Sequence, residues 1–187
     1  MLDMLEDPSV YPVSDDSKLL LKAVSASKGK VLDMCAGGGI IGLNAAKFAD
    51  EVTLADINDH ALNLIKLNAS KNNIKNIKVI KSDLFKEIGE KRFDVIFMNP
   101  PYLPGNPLNS DYLDIATLGG KDGSELTERF ILEAPNHLEP GGRIFIVLST
   151  KSNLDRIYGA IRRAGLSYTV IDSDSFFFEK LILIELH

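Results

Sequence analysis

"KVLDMCAGGGIIGLNAAKFADEVTLADI", residues 30–57, decides the fold. Residues 30–34 read as a buried strand, the glycines at 37–39 punctuate it, and "IIGLNAAKFA" (40–49) reads as a helix. "EVTLADI" (51–57) is a second strand, so the unit is strand–glycine turn–helix–strand. The same alternation continues outward through a helix at 59–72, strands at 77–83 and 93–99, a helix at 124–138, a strand at 142–149 and a helix at 153–165. Strands are expected again at 167–173 and 178–186, where two runs can pair as a hairpin-like unit, and one helix at 15–24 precedes the first strand. Strands alternating with helices predict an α/β fold whose parallel sheet is covered on both faces. The stretch 100–123, rich in Pro and Gly, is expected to be irregular and functional.

With 187 residues, the chain is long enough for one well-buried core and short for two domains. The net charge of −5 gives no general basic footprint for nucleic acid and favours a protein or small-molecule substrate. Cys35 is the only cysteine, and the three histidines lack metal-ligand spacing, so neither a disulfide nor a metal site is expected. No apolar run approaches membrane-span length, and the acidic start "MLDMLEDPSVYP" lacks the pattern of a signal peptide, which predicts a soluble, cytoplasmic protein.

The glycine turn points to a ligand. Gly37-x-Gly39-x-x-Gly42 matches a dinucleotide fingerprint, with Asp56 about 20 residues on, where a carboxylate can accept from ribose hydroxyls. Glycines that merely turn the chain are the plainer reading. Against it stand two more carboxylates: Asp33 ends the first strand, and Asp83 ends the third with Leu84 beside it. Carboxylates on three successive strand ends suit a nucleoside bearing positive charge better than a phosphate. After the fourth strand comes Asn99-Pro100-Pro101-Tyr102. Its prolines stiffen the backbone and leave carbonyls without an N–H between them, which suits fixed presentation of hydrogen-bond acceptors.

Asp33-x-x-x-Gly37-x-Gly39, Asp56, Asp83 and Asn99-Pro100-Pro101-Tyr102 stand in the order and at the strand ends found in class I S-adenosylmethionine-dependent methyltransferases. The tetrapeptide resembles that of enzymes methylating planar amide or amino nitrogen. "VYPVSDDSKLL" (10–20) and "LGGKDGSELTERF" (118–130) resemble segments of the archaeal and eukaryotic HemK-related release-factor glutamine methyltransferases. The resemblance implies a Rossmann-like, doubly wound sheet of seven strands, mostly parallel with an antiparallel last strand. It implies one domain over 1–187, with 1–29 as an N-terminal extension whose helix packs on the cofactor site. It implies S-adenosylmethionine as cofactor, contacted by Ser17, Asp33, Cys35, Gly37, Gly39, Asp56, Asp83, Leu84 and Asn99. Asn99, Pro100 and Tyr102 are implied as catalytic, and these three with Pro101 as substrate-binding. The implied reaction is methylation of a glutamine side-chain amide in the Gly-Gly-Gln loop of a release factor, with a small zinc-binding activator as a possible subunit.

Three departures stand out: Cys35 replaces the first glycine of the motif, Pro12-Val13 replaces an acidic-Pro pair, and Lys18 replaces an apolar residue. Several residues carry plainer readings. Asp122 and Glu125 have capping-box spacing, Ser17 suits a helix cap, Arg162-Arg163 suits a solvated helix face, and "FFFEK" (176–180) suits the core of the last strands. Rival functions are an amino methyltransferase acting on adenine or guanine, an NAD-dependent oxidoreductase, and a non-catalytic cofactor-binding scaffold.

Overall fold

The computed structural model describes residues 2–105 and 112–187. Its elements in chain order are α1 (Asp15–Leu21), β1 (Lys30–Met34), α2 (Ile40–Ala45), β2 (Glu51–Asp56), α3 (Asp59–Lys71), β3 (Ile77–Lys81) and β4 (Phe93–Met98). There follow α4 (Tyr112–Thr117), α5 (Glu125–Glu133), β5 (Leu138–Ser149), α6 (Leu154–Arg163), β6 (Tyr168–Phe176) and β7 (Glu179–Leu186).

The seven strands form one sheet in the order β3-β2-β1-β4-β5-β7-β6. β1 pairs in parallel with both β2 and β4, so the chain reverses its direction of travel across the sheet at β1. Ligands of open α/β sheets bind outside the carboxyl ends of strands at such a switch point. β7 runs antiparallel to both β5 and β6, as expected for the last strand.

The continuous apolar runs follow from two buried faces. Along β4, Val95 and Phe97 face a core with Leu19, Leu43, Leu54 and Ile65, on the side of α1, α2 and α3. Ile96 and Met98 face the other core, with Phe130, Ile131, Ile157 and Ile161 of α5 and α6. Strand side chains alternate between faces, so a central strand must be apolar at every position. Each such side chain contributes about 1.5–3 kcal/mol when fully buried.

Element boundaries differ from the sequence expectations for identifiable reasons. β3 ends at Lys81 because the chain turns at Ser82, whose Oγ donates to Leu84 O and accepts from Glu87 N. The helix expected over 124–138 ends at Glu133, and Ala134–His137 with Pro135 tightens into a 3₁₀ turn. β5 begins earlier than expected, at Leu138, and crosses Pro140-Gly141-Gly142 with a register shift against β4. Within 100–123, expected to be irregular, the structure has α4 and a bridge between Leu103 and Leu118, while 106–111 lie outside the described residues. The "FFFEK" segment is not core: Phe177 and Phe178 are 91% and 83% exposed at the β6–β7 turn. The strands run out before these rings have a layer to pack against.

The segment ahead of α1 is tied across α3 rather than trailing free. Leu5 N donates to Asn68 Oδ1 at 2.7 Å, and Asn58 Nδ2 donates to Ser9 O at 2.8 Å. Val10 packs against Ala61 and Leu64. This lays residues 10–13 over the carboxyl ends of β1 and β2. Among the described residues, no helix is long and apolar enough to cross a membrane.

Candidate active site

A cleft of about 360 Å³ opens at the carboxyl ends of β1, β2, β3 and β4. Of the residues singled out in the sequence, Ser17, Asp33, Cys35, Gly37, Asp56, Asp83, Leu84, Asn99 and Pro101 line it. Val10, Tyr11, Pro12 and Val13 close it from the N-terminal side.

Asp33 is buried at the end of β1 and accepts from Gly42 N at 2.8 Å. The helix can approach this closely because residue 42 has no side chain: a Cβ there would fall 2.9 Å from Asp33 Oδ2 and 2.7 Å from Leu54. Burial pushes the Asp33 carboxyl up to about 7, the Gly42 N–H pulls against it, and the neighbouring Asp56 adds to the rise. A carboxylate held this way gains most from a cationic ligand.

Asp56 holds the glycine turn. It accepts from Gly37 N at 2.8 Å and from Asn58 N at 2.9 Å. Burial raises its pKa, and the N–H groups of Asn58, Gly37 and Ile57 oppose that rise. Each carboxylate oxygen has two lone pairs, so acceptor capacity remains for a ligand hydroxyl. Gly37 has φ of 52°, and a Cβ there would meet only Val10 Cγ1 at 4.0 Å, so the turn leaves open space. Gly39 is placed differently. It precedes α2 with φ of 85°, sits among Ile65, Leu43 and Leu54, and does not line the cleft.

Cys35 takes φ of 59°, a left-handed conformation that glycine adopts with the least strain. Burial raises the thiol's pKa well above its ordinary value, and Asp56, Asp33 and Asp83 raise it further. This environment disfavours the reactive thiolate. Asp83 faces Arg129 across the cleft mouth, with Arg129 Nη2 3.3 Å from each carboxylate oxygen.

Asn99 stands where the main cleft meets a smaller cavity of about 90 Å³, also lined by Tyr11, Asp16, Pro100, Pro101 and Tyr102. Its Nδ2 donates to Ser17 Oγ at 3.5 Å. Its Oδ1 is buried and has no hydrogen-bond partner among the described residues. Leaving a buried acceptor unmatched costs about 1–3 kcal/mol, so such an atom in a native site calls for a ligand donor.

Asp16 is the residue that the sequence did not single out. It is buried, and its Oδ2 accepts from Tyr11 Oη at 3.0 Å and Tyr102 Oη at 3.3 Å. Its Oδ1 accepts from Ser17 N at 2.5 Å and Ser17 Oγ at 3.1 Å. One carboxylate thus ties the residue after the two prolines to the residue that meets Asn99. Burial raises the Tyr102 pKa, and the charge of Asp16 is the next cause, so the phenol remains a donor. The sequence signal was weak, because an Asp15-Asp16 pair in a first helical turn has a sufficient explanation in the helix dipole.

The glycines of "GGKDG" explain how the Pro101–Tyr102 backbone is supported. A Cβ on Gly119 would collide with Pro101 O, and one on Gly123 with Tyr102 O. Gly119 N donates to Leu103 O at 2.9 Å, and Gly105 N donates to Gly120 O at 2.8 Å. Asp122 accepts from Ser124 N and Oγ at 3.1 and 2.5 Å, which with Asn153 and Arg156 lowers its pKa to about 2. The segment is a brace for the tetrapeptide and also starts α5.

The methyltransferase small domain model matches residues 4–176. The chain belongs to this methyltransferase family. It is a class I, S-adenosylmethionine-dependent N-methyltransferase of the HemK type. It is 39% identical over 181 residues to a putative protein N5-glutamine methyltransferase of Methanocaldococcus jannaschii, covering 95% of this chain and 91% of that protein. It is 34% identical over 161 residues to the release factor glutamine methyltransferase of Clostridium acetobutylicum, covering 76% of this chain and 56% of that longer protein. The fold matches the E. cuniculi Mtq2–Trm112 complex, described as responsible for methylation of the eRF1 termination factor, with a TM-score of 0.75 at 20% identity over 96% of this chain and 98% of that one.

The residues of this methyltransferase fit the family's cofactor. The cleft lies within the roughly 300–1,000 Å³ usual for ligand sites. Its buried Asp33 suits an ammonium, its half-buried Asp56 suits ribose hydroxyls, and its unmatched Asn99 oxygen lies at the inner end, beside the smaller cavity.

Proposed function

We propose that this methyltransferase transfers a methyl group to the side-chain amide nitrogen of a glutamine in a translation release factor, in a Gly-Gly-Gln loop. The observation that carries the reading is the buried Asn99 Oδ1 without a partner among the described residues, at the junction of the two cavities. The names of the Methanocaldococcus and Clostridium relatives support the choice of a glutamine acceptor.

S-adenosylmethionine, when bound, supplies an electrophilic methyl on a sulfonium. Asp33 faces its ammonium end, Asp56 accepts from its ribose, and Asp83 with Leu84 receives its base. Cys35 and Gly37 contact it through the turn, Ser17 closes the site from α1, and Gly39 supports the turn from below. These carboxylates serve binding. An amide nitrogen is a weak nucleophile because its lone pair is delocalised into the carbonyl. Asn99 Oδ1 and the Pro100 carbonyl accept its two N–H groups, which aims the nitrogen and favours positive charge growing there. Pro101 keeps the backbone from relaxing, and Tyr102, fixed by Asp16, flanks the planar amide. Orientation of this kind contributes several kcal/mol of the roughly 7–11 available from complete positioning.

The connected sheet supports reading 1–187 as one catalytic unit. A small partner subunit of the zinc-binding activator kind is in keeping with the two-protein neighbour, and a release-factor acceptor would place the enzyme in the cytoplasm. The test is mass spectrometry of release factor after incubation with the chain and labelled cofactor. One added methyl on the glutamine is expected. Label in RNA or DNA with none in release factor would transfer the assignment to a nucleic-acid amino group.

A further inference from the structure

Phe177 and Phe178 make up the two-residue turn between β6 and β7. They are 91% and 83% exposed, and their rings meet edge to face with centroids 4.4 Å apart. Turn chemistry does not ask for them, since tight hairpins favour Gly, Asn and Asp. Packing does not ask for them either.

Their position is informative. β7 runs antiparallel to β5, with Leu181 opposite Ser149 and Thr150 N donating to Lys180 O at 3.0 Å. The turn therefore projects beyond the carboxyl end of β5, on the same edge of the sheet as Asn99. Glu179, next in the chain, accepts from Ser149 Oγ at 2.6 Å, and its charge reaches the Tyr102 hydroxyl. Register and strand spacing put Phe178 roughly 20 Å from Asn99, five residues along β7 and two strands across. That span exceeds the reach of a small acceptor and suits a folded one.

We propose that the Phe177–Phe178 tip is a docking contact for the body of the protein acceptor whose glutamine loop enters the small cavity; this rests on the reading given under Proposed function. Charge selects a protein over nucleic acid. Lys22 is paired with Asp172 at 2.9 Å and Asp174 at 3.7 Å, and Lys151 with Glu179 at 3.0 Å; with exposed Lys180 the three lysines only balance the three carboxylates, so the surroundings offer phosphate no cationic surplus. Position selects an acceptor over a second copy of this chain. The tip lies at the same end of the sheet as Asn99, whereas the exposed apolar residues through which two copies could pair, Tyr168, Val170 and Ile171, run along the outer strand β6. Two exposed rings offer roughly 300–400 Å², enough for an outlying anchor beside a loop already seated in the cavity.

The experiment compares wild type with the double variant Phe177→Ser, Phe178→Ser. Acceptors are intact release factor and a five-residue peptide centred on Gly-Gly-Gln, too short to reach the turn. KM for the intact acceptor should rise about tenfold with kcat within about twofold, and its calorimetric affinity should fall by the same factor. Kinetics with the peptide and affinity for S-adenosylmethionine should not change. An unchanged KM and affinity for intact release factor, an equal loss with the peptide, or conversion of a wild-type dimer to monomer would overturn the contact. A wild-type chain that leaves intact release factor unmethylated, both alone and with a small zinc-binding activator added, defeats the underlying reading, and the contact with it.

Discussion

The main cleft and the small cavity share Asn99 but are assembled by opposite means. The cleft is built from strand ends: Asp33 and Asp56 lie in the last residues of β1 and β2, Asp83 stands just beyond β3, and parallel pairing brings these ends together. The small cavity is built from distant segments, with Asp16, which also accepts from Tyr11, meeting Tyr102 by a side-chain hydrogen bond across 86 positions of chain. Carboxylates whose pKa is raised by burial dominate the first. An unmatched carbonyl and rigid prolines dominate the second. One region is organised to hold a charged ligand, and the other to orient a neutral one.

Separate variants should separate these tasks. Asn99→Ala removes the unmatched acceptor and should lower single-turnover rate by about 10³, with cofactor affinity held within a few-fold. Asp56→Ala should do the reverse, weakening cofactor binding first. Parallel rate measurements and calorimetry that gave both variants the same profile would erase the distinction between the two cavities.

Asp33 gives the next largest effect, with opposite signs for stability and binding. A carboxyl whose folded-state pKa is raised to about 7 keeps a proton that the unfolded chain has released above about pH 4. It therefore opposes folding increasingly as pH rises through that window. Asp33→Asn, which retains an acceptor for Gly42 N, should stabilise the ligand-free protein at pH 8 by roughly 2–4 kcal/mol and scarcely at pH 4. Cofactor affinity should fall, and its rise between pH 6 and 8 in wild type should disappear. Asp56 and the Cys35 thiol share this environment, so the titration is read as the difference between variant and wild type. Thermal melts at two pH values and calorimetry across the range check both signs.

Asp16→Ala tests the small cavity from its far side. Tyr11, Tyr102 and Ser17 lose their common acceptor, and kcat should fall about tenfold with cofactor affinity little changed. Asp16→Glu should not restore it, because the longer side chain cannot meet the four donors of these three residues in the same place. A loss confined to cofactor affinity would assign Asp16 to the cleft instead.

Cys35→Gly is the smallest effect. It relieves a left-handed backbone conformation that costs roughly 1–2 kcal/mol, offset in part by the greater freedom of glycine in the unfolded chain. Chemical denaturation should show a gain of up to about 1 kcal/mol, with activity unchanged.

The cleft was legible in the sequence for the reason it is simple. A strand end is a fixed place, so an acidic residue after each apolar run can be placed without knowing what packs nearby. Asn99-Pro100-Pro101-Tyr102 was legible because two prolines directly after a central strand admit few backbone explanations. Asp16 was not, since its partners come from a preceding loop and from the far end of β4, and no local period encodes that meeting. Gly39 shares the fingerprint with Gly37, and spacing alone does not distinguish a glycine that faces open space from one packed against Ile65 and Leu54. The early start of β5 was hidden by Pro140-Gly141-Gly142, which reads as a turn but lies within a bulged strand. "FFFEK" (176–180) suits a core by composition, and only the hairpin's projection beyond its neighbours leaves Phe177 and Phe178 in solvent.

The most direct measurement is a crystal structure of the chain with S-adenosylhomocysteine and a Gly-Gly-Gln peptide, read at the acceptor amide nitrogen. The account predicts that nitrogen within about 3.2 Å of both Asn99 Oδ1 and the Pro100 carbonyl oxygen. A glutamine amide turned away from both, with Asn99 Oδ1 satisfied by water or by another protein group, would contradict it.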